Sequence, residues 1–293
     1  MGYILLLISV FAGTLKAYAS KRISNDVITL SDNIYVMLIR MIMCTCIGVF
    51  GIIFASNKIE LKASGIELII CGISGLALTV FVMSWLFAVK KGAFLLVNAF
   101  TSASFLIPSL FGMFLLNEQF TMYKVMAVLC ICGALVFLLR YNTRIKGKIT
   151  DAQIALMILI SVAQGLNQSM QKLYTHYVPE KDVMIYNLYT FAFATLFLII
   201  FKLFRKAKKE VQNKMRLYVY VYIALMAVAL FANTYFLSLA AVTIDAIILY
   251  PLSNVLVLVA NSIMAHVCFH EKIKRESVIG ILFTLAALIF SGI

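Results

Sequence analysis

Two basic side chains stand inside long apolar stretches of this 293-residue chain, Lys16 in Gly2–Ser20 and Arg40 in Asn33–Ala55. A charge in such a stretch is costly to bury and marks a functional site by default. No Asp or Glu lies near the middle of any apolar stretch, and Glu67 stands only at the entrance of its own. The buried charge is positive, so its chemistry would be to hold the anionic end of a small molecule. Lys16 could also titrate, because desolvation lowers the basicity of an amine. The blander reading is that both side chains snorkel to a nearby interface.

Uncharged polar residues extend the set. Ser161, Gln164, Gln168 and Gln171 are spaced three, four and three apart, which puts them on one helical face, with Asn167 at its edge. Asn98, Thr101, Ser102 and Ser104 precede Pro108 in one apolar stretch. Tyr250, Pro251, Ser253 and Asn254 precede Asn261 in another. A proline inside a helix frees a carbonyl and weakens the local ladder, so these stretches could offer backbone groups to a solute or bend. The alternatives are interhelical hydrogen bonds, worth about 0.6 kcal/mol each, and kinks healed by neighbouring polar groups.

The elements that must position these groups follow from composition. The chain is 63% apolar and 13% charged, far from the balance of a soluble domain. Leu68–Val89, Gly92–Asn117, Ala152–Gln171, Val183–Phe201, Leu217–Ile244 and Ala246–His270 contain no charged residue. About 20 residues at 1.5 Å each cross a hydrocarbon core of about 30 Å. Lipid offers the backbone no partner, so helices are expected, and nothing alternates as a transmembrane barrel would. Four weaker runs, Gly2–Ser20, Asn33–Ala55, Phe120–Leu139 and Ser277–Ile293, bring the expected helices to ten. The fold class is all-α integral membrane, and the short connections leave room for no soluble domain.

The net charge of +13 belongs to loops of a membrane protein rather than to a nucleic-acid binder. Of the 25 Lys and Arg, eighteen fall in the loops after the first, third, fifth, seventh and ninth helices and five on the other face, with Lys16 and Arg40 between. The positive-inside rule then places both termini outside the cell. The cysteines all lie in apolar runs. Cys44 and Cys46, like Cys130 and Cys132, are two apart and point to opposite helix faces, which suits neither a metal clip nor a disulfide. The first run lacks a basic leader and a small-residue cleavage site and is expected to stay in place. Leu6 rules out a myristoylation signal.

The chain repeats internally. A slide of 153 pairs Ala88 with Ala241, Ser109 with Ser262 and Glu118 with Glu271. A slide of 152 lays Ile8-Ser9-Val10-x-x-Gly13 over Ile160-Ser161-Val162-x-x-Gly165 and pairs Lys16 with Gln168. The halves are 1–141 and 150–293. Five helices is an odd number, so the second half enters from the opposite side, an inverted repeat.

These features resemble the drug/metabolite transporter superfamily, in its EamA-like ten-helix branch. The resemblance rests on Gly13 followed by Lys21 and Gly165 followed by Lys172, on Arg40 near the start of the second helix, and on the long fourth and ninth helices closed by Asn117-Glu118 and His270-Glu271. It covers nearly the whole chain. The Trp often beside the first-helix Gly is replaced by Ala12 and Gln164. The resemblance implies a secondary transporter, in the exporting direction, working by alternating access, with both termini drawn in the cytoplasm. It also implies that helices three and eight line a central cavity. That adds Trp85, Asn233 and Tyr235, an aromatic and amide wall for a flat solute, against interfacial anchoring for Trp85. Tyr218, Tyr220 and Tyr222 read as an interfacial belt.

With positive charge inside, the expected solute is an anionic or zwitterionic metabolite such as an amino acid, an organic acid or a phosphorylated compound, with protons as a coupling partner. The protein is expected as a multi-pass plasma-membrane monomer or homodimer, with no cofactor and no nucleic-acid partner. No GxSxG, paired carboxylates, phosphate-cradling loop or ligand-spaced Cys/His set points to an enzyme. His266 and His270 are four apart at a helix end, where interfacial roles are expected. A non-transporting structural or regulatory membrane protein, or a lipid-modifying membrane enzyme, is the alternative.

Overall fold

The chain caps its own helices where the apolar runs begin. Thr29 and Asp32 exchange side-chain and backbone hydrogen bonds of 3.0 Å each, and Ser64 and Glu67 do the same at 3.1 and 3.4 Å. Both are capping boxes that satisfy the first N–H groups of a helix. Asp182 accepts from Met184 N at 2.8 Å at a third start. Glu67 is thus a helix cap, as its place at the entrance of its run implied.

The computed structural model describes residues 1–24, 26–27, 29–54, 63–91, 97, 100–118, 121–142, 151–178, 182–204 and 215–269, with Val278, Ile279, Leu282, Phe283, Ala286 and Phe290 beyond them. Among the described residues there are nine α-helices and no strand. They are α1 Gly2–Ile23, α2 Leu30–Phe54, α3 Gly65–Lys91, α4 Leu106–Leu115 after a 3-10 turn at Ala103–Phe105, α5 Met122–Asn142, α6 Asp151–Tyr177, α7 Val183–Phe204, α8 Leu217–Thr243 and α9 Ala246–Phe269. The six described residues of the last apolar run are all helical.

Among the described residues, six helices are long and apolar enough to cross a membrane: α1, α2, α3, α7, α8 and α9. The 27-residue α6 is not among them because Gln164, Asn167, Gln168, Gln171 and Lys172 lower its hydropathy. Apolar side chains such as Phe11, Phe54, Ile69, Leu203, Val228 and Val267 are exposed, while Ser9, Gln168, Ser169, Gln171, Asn187 and Asn254 are buried. A surface of that kind suits lipid, and the interior polar groups bond between helices.

The packing comes in matched pairs. α1 lies against α8 and α9, and α6 lies against α3 and α4. α2 lies against α8 and α7 against α3, while α2 meets α7 and α4 meets α9. Glycines allow the closest approaches. A methyl on Gly165 would come within 2.8 Å of Ser104 O, and one on Gly75 within 2.8 Å of Thr190 O. Gly72, one turn before Gly75, faces open space with nothing described within 4 Å.

One knot ties three helix ends to the side of a fourth helix. Asn117 has φ 51°, in the left-handed region, and Glu118 N donates to Gly112 O at 3.1 Å, which ends α4 in a left-handed turn. The turn throws the Glu118 carboxylate back across Gly112 onto the start of α9. There it accepts from Ala246 N at 2.9 Å and Ile247 N at 3.1 Å. Lys172 of α6 lies 3.6 Å from the same carboxylate and donates to Ala241 O at 3.0 Å and Ile244 O at 2.8 Å, at the end of α8. The anion meets the positive end of one helix dipole and the cation the negative end of another. Glu271, its partner in the repeat, lies outside the described residues.

A methyl on Gly112 would stand 2.5 Å from Glu118 Oε2. Gly112→Ala should displace the carboxylate and cost about 1–3 kcal/mol, the penalty for leaving buried polar groups unpaired. Thermal unfolding in detergent should show a lowered midpoint. Gly72→Ala, with open space around it, should leave the midpoint unchanged or raise it.

Candidate functional site

Beneath the knot lies a cavity into which six helices and the segment before α4 reach. α1 brings Lys16, α2 Arg40, α3 Trp85, the segment before α4 Thr101 and Ser102, α6 Gln164 and Gln168, α8 Asn233 and α9 Asn254. On α9 the lining residues Ser253 to Asn261 follow Ala246 by 7 to 15 residues, so the cavity sits roughly 10–22 Å along the axis from the knot. Gly13 lines it too, and a methyl there would come within 3.2 Å of Asn233 Nδ2.

The amides do two jobs. Gln168 Nε2 donates to Asn254 Oδ1 at 3.0 Å, and Ser104 Oγ donates to Gln168 Oε1 at 3.3 Å. Asn254 Nδ2 donates to Ser102 O at 3.2 Å and to Ser104 Oγ at 3.1 Å, while Ser102 Oγ donates to Asn254 O at 3.3 Å. Ser102, before α4, and Asn254, on α9, thus touch across the middle. Asn233 Nδ2 donates to Ser9 O at 2.9 Å, and Ser9 Oγ donates to Asn233 O at 2.9 Å. Gln164 makes no hydrogen bond among the described residues and leaves its amide to the cavity.

The charged pair is different. Arg40 is 3% exposed. Its Nη1 reaches only the weak acceptor Met37 Sδ at 3.7 Å, and its Nε has no partner. Lys16 also lines the cavity. Among the described residues no carboxylate does. Asp32, two turns before Arg40 on α2, gives an oxygen to its own capping box.

The polar face of α6 divides along its length. Gln164 and Gln168 reach the cavity. Gln171 instead donates to Ser238 Oγ at 2.6 Å and Thr234 O at 3.1 Å. Ser161 Oγ donates to Phe100 O. Asn167 does not line the cavity: its Oδ1 accepts from Ser74 Oγ at 2.8 Å, because one step around the helix turns it toward α3. Tyr235 is also elsewhere. It is two residues from Asn233, hence on nearly the opposite face, and stacks on Phe231 with centroids 6.3 Å apart. Tyr250 is 0% exposed in the apolar core near the start of α9. Asn98 lies outside the described residues.

Ser20 and Phe81 line the cavity and were not singled out in the sequence. Ser20 follows Lys16 by one turn, and Phe81 precedes Trp85 by one turn, so the i, i+4 rule applied to those two residues would have found both.

Asn254→Ala removes the hub of the central amide network, leaving the Ser104–Gln168 bond and the charged pair in place. It should lower the unfolding midpoint by the equivalent of about 1–3 kcal/mol, since Gln168 and Ser104 stay buried. Gln164→Ala loses no hydrogen bond and should leave the midpoint unmoved.

Residues 152–293 match the model of the EamA-like transporter family, part of the drug/metabolite transporter superfamily. A solved crystal structure aligns over 99% of this chain and 95% of its own, with a TM-score of 0.75 and 13% sequence identity. At that identity the likeness concerns the fold alone. The comparison with curated proteins gave no match. The second half thus matches a transporter family, as the sequence resemblance implied, and the six span-capable helices indicate a multi-pass membrane protein.

Proposed function

We propose that this chain, an EamA-like transporter by its second half, carries a small anionic or zwitterionic metabolite across the plasma membrane by alternating access. The observation that carries the reading is the pair Lys16 and Arg40, facing a central cavity with no carboxylate among its described lining. A lipophilic cation would meet two like charges there, whereas an amino acid, organic acid or phosphorylated compound brings the missing anion.

The architecture proposed is ten helices in two inverted halves, 1–141 and 150–293. The matched packing of α1 with α8 and α6 with α3, and the helical residues between 278 and 290, support it. The cavity then lies between the halves, where repeat-related transporters hold their solute. The knot of Glu118, Lys172 and the α9 start, with the Ser9–Asn233 and Gln171–Ser238 bonds beneath it, closes the face that carries the start of α1. On the loop-charge bias that is the outer face. Release of the knot, with closure at the opposite face, completes the cycle. Export, coupling to protons and a monomeric or homodimeric state belong to the same proposal.

Purified protein in liposomes tests it. A transporter moves an anionic or zwitterionic solute without changing it. Lys16→Gln, the residue at the equivalent position of the second half, should leave the unfolding midpoint intact. It should weaken apparent solute affinity about ten- to a hundredfold, the loss of one charge-assisted hydrogen bond. Carriage of a cationic dye with organic anions and amino acids ignored contradicts the proposal, and unaltered flux in the variant removes Lys16 from the site.

A further inference from the structure

We infer that the cavity is built for a small dianion, a solute with two negative charges close together such as a dicarboxylate or a phosphate monoester, in preference to a zwitterionic amino acid. This deepens the transporter reading and rests on it.

Charge balance carries the argument. Arg40 and Lys16 line one cavity. Arg40 is 3% exposed, yet among the described residues its one hydrogen-bond contact is a thioether, and its Nε has no acceptor there. Asp32 and Glu67 serve capping boxes and Glu118 the α9 start, and none of them is among the described lining. A buried guanidinium beside a half-buried ammonium, with no carboxylate among the described lining, is strongly disfavoured. A zwitterion adds no net charge. Its carboxylate would answer one cation while its ammonium joined the other two. A dianion neutralises both, and a planar guanidinium with free donors is matched to carboxylate or phosphate oxygens, two at a time.

The remaining lining supports the same solute. The amide nitrogens of Gln168, Asn254 and Asn233 are spent on bonds between helices. Gln164 keeps its amide free for the body of the solute, and Trp85 supplies an apolar wall.

The experiment measures binding and flux separately. Succinate, glycerol phosphate and alanine are titrated against the purified protein in detergent by calorimetry, and each is then loaded into liposomes carrying the protein. The expected result is that succinate or glycerol phosphate binds at least tenfold tighter than alanine. Arg40→Gln and Lys16→Gln should each erase that preference, while Arg40→Lys restores part of it. Unfolding midpoints of the variants separate a lost site from a lost fold. Alanine binding as tightly as both dianions, or no heat from either dianion, overturns the inference. Dianions that bind with the expected preference but never cross the liposome uphold the inference and overturn the transport reading alone.

Discussion

The structure depends on one carboxylate. Glu118 sits in a turn at the end of α4, yet it caps a helix that begins 128 residues later. Its pairing with Lys172, whose ammonium in turn covers the last carbonyls of α8, joins the ends of α4, α8 and α9 to the side of α6. Within hydrocarbon an unbonded helix end is expensive. Placing a fixed anion on one end and a fixed cation on another resolves both and leaves no net charge. Gly112 makes room for the carboxylate, and Asn117 adopts the left-handed turn that aims it. The residues that line the cavity are held in register because the helices carrying them are pinned at this end.

The interior treats charge in two opposed ways. At the knot every charge has a partner, and the assembly is structural. In the cavity Lys16 and Arg40 have none among the described lining, and the expense is borne by the fold. A site under selection only for stability would substitute an apolar residue there, since an uncompensated buried charge is among the more destabilising features a protein can carry. The contrast between paired and unpaired charge within a few helical turns is what distinguishes a site from scaffold. The amide network of Ser102, Ser104, Gln168 and Asn254 lies between the two, bonding the segment before α4 to α6 and α9 across the middle while one edge of it reaches the cavity.

The helices were legible because uncharged runs of spanning length have few other uses. The placement of Lys16, Arg40 and Gln168 was legible because polar residues in such runs must face inward. What pattern alone could not supply was which inward surface each polar residue meets. Asn167 and Gln164 are three apart on α6, yet one bonds to α3 and the other faces the cavity, since a helix buried on several sides has several inward faces. Tyr235 and Tyr250 are aromatic neighbours of site residues that fill core instead. Glu118 stood out as a repeated residue just past a long run, but its partner lies more than a hundred residues away, and nothing local in the sequence points there.

The central claim is that a cationic cavity is closed toward one face by the knot and can be opened there when the knot is released. Accessibility of a cysteine in the cavity tests it most directly. Gln164→Cys, in a chain whose native cysteines are replaced by serine, is exposed to a membrane-impermeant thiol reagent from each side of oriented vesicles. The account predicts labelling from the face opposite the knot, and a shift of labelling to the knot's face when Glu118→Gln is added. Labelling from the knot's own face in the parent, or an unchanged pattern after Glu118→Gln, would contradict it.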